Sequence, residues 1–80
     1  MKIPVIKQLV ETQPLDALVA AEQALLDEQT PAIEVPGEDE GEQLTHVFAA
    51  IFILNHMQAQ GTDFKTALRE YTAKVRVSIS

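Results

Sequence analysis

The chain has no cysteine, which excludes disulfides, thiolate metal sites and thiol redox chemistry. Its three glycines form neither a G-x-G-x-x-G nor a P-loop arrangement, so no phosphate cradle is written into the sequence. Serine is confined to Ser78 and Ser80, at an end where fraying leaves little support for a nucleophile. Positive charge is scarce as well. From Glu22 to Glu42 there are eight acids and no Lys or Arg, and the formal net charge is −6. That balance argues against partners that reward positive charge, nucleic acid and anionic membrane surfaces alike. The apolar run Val47–Leu54 is far shorter than the ~18–20 residues of a spanning helix. At the N-terminus, Pro4, Lys7 and Gln8 interrupt any apolar stretch of a secretory leader. A soluble cytoplasmic protein is the expectation.

What is present fits one small domain of 80 residues with 46% hydrophobic content. A core of that size gives modest stability, and small scaffolds usually need a metal, a partner copy or very regular helix packing. Charge is also segregated. After the acidic middle, the last segment carries Lys65, Arg69, Lys74 and Arg76 against Glu70. Such asymmetry suggests that the acidic and basic parts meet, within one chain or between two. Two solvated faces of opposite sign are the plainer account.

Breaks at Pro14, at Thr30–Gly41 and at Gly61 leave four segments. In the first, from Ile3 to about Glu11, Val5, Ile6, Leu9 and Val10 share one helical face, and Pro4 suits the first helical position. The β-branched content makes a strand the competitor, although strict alternation fails at Val5-Ile6 and Leu9-Val10. The second, about Pro14 to Glu28, reads as a helix with Leu15, Leu18, Val19, Leu25 and Leu26 near i, i+3, i+4 spacing. The third begins between Glu38 and Glu42 and stops before Gly61. Its apolar residues fall on two opposed faces. Leu44, Val47, Phe48, Ile51 and Leu54 form one; His46, Ala50, Ile53 and Met57 form the other. A helix of that kind must be covered by several neighbours, by a second chain, or by both. After Gly61, Thr62 or Asp63 can cap a fourth helix, whose seam runs Phe64, Ala67, Leu68, Tyr71, Val75 and then Ser78 or Ile79. The ending KVRVSIS alternates like a strand, but the preceding period favours continued helix. A short turn makes the last two helices an antiparallel hairpin.

The start MKIPVIK, an acid-rich entry before an apolar helix, and the ending GTDFKTALREYTAKVRVSI resemble a family of short bacterial proteins of unknown function. The resemblance implies a small autonomous soluble domain and brings no activity, ligand or site residue with it.

Several chemistries can be weighed on spacing. Glu42 and His46 stand at i, i+4, where helical side chains approach each other. Carboxylate-bridged di-metal bundles use Glu-x-x-His on several helices, whereas here the spacing is Glu-x-x-x-His and the other helices bring no histidine. A carboxylate paired with a histidine at a helix entrance is the simpler explanation. His56 cannot join His46, being ~15 Å along and about 80° around the same helix. Glu38, Asp39, Glu40 and Glu42 lack the order of a calcium loop and suit a helix N-terminus, where negative charge is favoured. Thr45 follows the wrong direction to use His46 as a base, since consecutive helical residues do not face each other. Tyr71 reads as a core aromatic with its hydroxyl at the rim. For His46 itself, a partly exposed ring near the helix entrance competes with a place in a helix–helix seam, where it would make association depend on pH.

The sequence therefore predicts an all-α fold: a small bundle of three to four helices, with an acidic loop at about 30–41 and a C-terminal antiparallel helical hairpin. No cofactor and no catalytic residue is expected. The favoured function is a non-enzymatic interaction or scaffold module that forms a homodimer through His46, Ala50, Ile53 and Met57. Docking of a protein partner through its charged surfaces is a further expectation. A monomer in which three helices surround the third is the alternative architecture. The alternative function is a small metal- or ligand-binding protein using Glu42 and His46.

Overall fold

The computed structural model describes residues 2–79, with side chains described through Val75. Four helices follow one another, α1 (Ile3–Thr12), α2 (Leu15–Leu26), α3 (Glu40–Gln60) and α4 (Phe64–Ile79), and no strand occurs among the described residues. The all-α expectation holds, and both segments with strand-like composition are helical. In α1 the Pro near the first position costs no hydrogen bond, and Ile6, Leu9 and Val10 are buried together. The period-3.6 stripe prevails over β-branching because it buries three side chains on one side. The last positions of the α4 seam, Ser78 or Ile79, lie outside the described side chains.

Helix ends follow their chemistry closely. Asp39 caps α3, its carboxylate accepting the Glu42 backbone N–H at 2.7 Å, while the Glu42 carboxylate accepts the Glu38 N–H at 3.0 Å. This reciprocal pair satisfies donors that the first turn leaves orphaned. Gly61 ends α3 in the left-handed region, φ 65°, with its N–H donating to the Met57 carbonyl. Two residues later Asp63, not Thr62, caps α4 by accepting the Thr66 N–H at 2.8 Å. Those bonds hold the Asp63 carboxyl below its ordinary range. At the end of α2, Gln29 N–H reaches the Ala24 carbonyl and Glu28 N–H the Leu25 carbonyl. That is a Schellman closure, and it places Glu28 at φ 58°.

α3 is the centre. α1, α2 and α4 each pack on it, while they scarcely touch one another. Val47, Ala49, Ala50 and Ile53 are completely buried, joined by Ile6 from α1, Leu18 and Ala21 from α2, and Ala67 and Tyr71 from α4. Three short helices thus do for α3 much of what a second copy was expected to do. In α2 the buried set is Leu18, Ala21 and Leu25, so Val19 and Leu26 fall outside the core. A stripe of i, i+3, i+7 is as wide as one neighbouring helix can cover, and Val19 and Leu26 sit about 100° around from it. The segment between α2 and α3 does not hang free. Val35 is buried within the core, and the Gln43 side-chain amide donates to its carbonyl at 2.9 Å.

Candidate functional site

His46 was expected either partly exposed or facing a partner, and it is neither. It has no exposed surface. Its Nδ1 lies 2.8 Å from the Pro36 carbonyl, and its Nε2 lies 3.0 Å from the Lys2 backbone N–H. A carbonyl only accepts and a backbone N–H only donates. The proton therefore sits on Nδ1, Nε2 is the acceptor, and the ring is neutral. One imidazole ties the start of α1 and the incoming strap, residues 33–37, to the middle of the bundle.

Glu42 does not pair with His46, despite i, i+4 spacing. Its carboxylate turns back to the Glu38 N–H at the helix entrance, drawn by an orphaned backbone donor that a neutral imidazole cannot match. Both nitrogens of His46 are engaged by backbone, so the ring offers no lone pair to a metal as folded. Among the described residues no group of three or more His, Asp or Glu is gathered as a metal site. His56 is engaged elsewhere, its Nδ1 hydrogen-bonded to the Thr62 hydroxyl at 2.9 Å and its ring stacked near Phe52. The Thr45 hydroxyl donates to the Gly41 carbonyl within its own helix.

Ala50 and Ile53 accompany His46 into the core, and Met57 is half-buried. Three of the four residues expected as a homodimer seam are thus buried within the single chain. The opposed stripe is where coverage fails. Phe48 is 54% exposed, and Leu26 of α2, which sequence spacing placed in the core, is 57% exposed. Both border an open groove of about 420 Å³ lined with Glu22, Leu44, Thr45 and Tyr71. α2 supplies one lip and α4 the other, with α3 as the floor. Tyr71, on the α4 side, is almost wholly buried and packs at a tilt of 58° against Phe52, 5.5 Å between ring centroids. Burial pushes its phenol above the ordinary value. Beyond it, the Lys74 ammonium stands 5.4 Å from the Phe52 centroid, within cation–π range.

Among the described residues, the ionisable groups that line the groove are the Glu22 carboxylate and the Tyr71 phenol. The sequence signal for this site was the second apolar face of α3. What spacing alone did not reveal is which face the other three helices would leave uncovered.

No helix of the described residues is long and apolar enough to cross a membrane. No curated protein and no solved structure gives a significant match to the chain. A family model does match, over residues 1–80, and the chain belongs to that family, a family of unknown function designated DUF6952.

Proposed function

We propose that the protein is a non-enzymatic helical interaction module that self-associates through the groove bordered by Leu26 and Phe48. The observation that carries this reading is the exposure of two large apolar side chains from different helices at one concave surface. Scattered exposed apolar residues are ordinary, whereas a grouped and concave set marks a contact surface. Asp39, Glu42 and His46, which the sequence singled out, are taken up by capping or by backbone hydrogen bonds.

Magnitudes set the strength of the association. Phe48 and Leu26 are 54% and 57% exposed, so burying what remains gives up to roughly 1.5 kcal/mol each. In a symmetric dimer four such side chains contribute up to about 6 kcal/mol against an association cost of roughly 4–15 kcal/mol. Any dimer is therefore weak, with a dissociation constant of about millimolar. A cytoplasmic location and indifference to nucleic acid belong to the same reading, the latter because a net charge of −6 opposes polyphosphate.

Sedimentation equilibrium from micromolar to millimolar protein tests it. Mass should rise from 8.8 kDa toward twice that, and Phe48→Asp should hold the chain at the lower value while leaving its helical circular dichroism intact. A wild-type mass constant across the series would remove the reading.

A further inference from the structure

α1 begins without a side-chain cap and without an acidic residue in its first turn. Its capping position is Lys2, whose carbonyl accepts the Val5 and Ile6 N–H groups at 3.1 and 3.3 Å. In a capping box, a Glu or Gln at the third helical position accepts the cap residue's own N–H. That position holds Val5, so the Lys2 N–H is taken from outside the helix, by Nε2 of His46 in the second turn of α3. One lone pair on a wholly buried ring thus holds the start of α1, and it is the lone pair that a proton would occupy.

We propose that His46 is an acid-sensitive latch: uptake of a second proton by the ring releases the first turn of α1 and leaves the strap in place. A doubly protonated imidazole donates from both nitrogens, so Nε2–H would face the Lys2 N–H, donor against donor. The new positive charge would also stand at the positive end of the α1 dipole. The Nδ1–H bond to Pro36 survives protonation and gains strength from the charge. Charged groups on the surrounding elements do not replace the lost bond. Lys2, Lys7 and Glu11 of α1 and Glu34 of the strap are exposed. So are Glu38, Asp39 and Glu40 at the α3 entrance, and the Glu42 carboxylate accepts the Glu38 N–H. On α2 and α4 the described charged side chains are exposed, apart from Glu22 in the groove. Hydrated carboxylates at the entrance attract a buried cation only through screening solvent. The docked form carries one ring proton and the released form two, so falling pH favours release. Release ends after one turn, because Ile6, Leu9 and Val10 stay buried against α3.

A pH series on the whole chain at micromolar concentration, where self-association at the groove does not enter, tests the latch. Imidazole nitrogen shifts follow His46 ionisation, and amide exchange at Val5 and Ile6, scaled to intrinsic rates, follows docking. Both should change over one pH interval, with exchange rising roughly tenfold for the lost hydrogen bond. The Gln43 side-chain amide, bonded to the Val35 carbonyl, should keep its shifts throughout. His46→Gln retains a donor and an acceptor but no titrating group, so its Val5 and Ile6 exchange should not respond to pH. His56→Gln should respond as wild type does, and if His46→Gln fails to fold, the wild-type and His56→Gln series decide by themselves. Exchange at Val5 and Ile6 that ignores His46 ionisation overturns the latch. So does ionisation seen only when all four helices unfold together, or a wild-type response in His46→Gln.

Discussion

The backbone N–H of Lys2 donates to Nε2 of His46 across 3.0 Å, joining residues 44 positions apart. The same ring donates from Nδ1 to Pro36, 2.8 Å away, and lies wholly out of water. His46→Leu leaves the part-buried Lys2 N–H and Pro36 carbonyl without their partner, each costing up to about 1–3 kcal/mol. Chemical denaturation should therefore show a large loss for this variant. Nitrogen chemical shifts of the imidazole should report the Nδ1–H tautomer, and an Nε2–H ring would contradict the arrangement. Zinc should leave the wild-type melting temperature unchanged, because coordination would have to displace a backbone partner.

Gly37 is the close approach of the strap to α3. A methyl group added there would lie 2.7 Å from Gln43 Cγ and 2.9 Å from its backbone nitrogen. Gly37→Ala should push the strap outward, break the Gln43–Val35 hydrogen bond, and cost about 1–3 kcal/mol. Faster amide exchange at residues 33–37 would accompany the loss in denaturation midpoint, and unchanged exchange would count against the contact.

Two left-handed positions predict opposite signs. Gly61 has φ 65° with open space around it, so Gly61→Ala is penalised by backbone alone, about 1 kcal/mol. Glu28 holds φ 58° while placing a carboxylate at the negative end of α2. Glu28→Gly should stabilise the fold by about 0.5–1 kcal/mol despite the added freedom of the unfolded chain. Paired thermal melts check both. Equal signs would show that the closures do not govern these helix ends.

Tyr71 is the single tyrosine, and no tryptophan is present, so its ionisation is readable in the near-ultraviolet without overlap. Burial raises its folded value, whereas the unfolded phenol titrates near the ordinary value of about 10. The unfolded chain therefore loses the proton first. The stability contributed by Tyr71 is whole below pH ~10 and declines as pH rises through the window between the unfolded and folded values. Alkaline titration should show a midpoint above that of the denatured chain. Coincident midpoints would place the phenol in water.

Much of this fold was legible because it follows local rules. Gly61, Asp63 and the Asp39/Glu42 entrance announce where α3 begins and where α3 and α4 meet. The period of Ile6, Leu9 and Val10 resolved α1 against its β-branched composition. The site was less legible, for a geometric reason. The wheel of α3 shows two apolar faces but not how three covering helices divide them. His46 looked like a surface or seam residue because spacing offered Glu42 as its partner, while its actual partners are backbone groups of Lys2 and Pro36. Such partners leave no mark in side-chain patterning. Leu26 likewise looked like core, and only the crossing of α2 over α3 decides that Leu25 turns in and Leu26 out.

The central claim is that copies meet at the Phe48 face and not at the buried His46 stripe. Its most direct test is a dilution series of amide correlation spectra from millimolar to micromolar protein. Concentration-dependent shifts should cluster at Glu22, Leu26, Thr45, Phe48 and Tyr71, while Ala50 and Ile53 stay constant. Spectra that do not change with concentration, or shifts gathered along α1 and the strap instead, would contradict it.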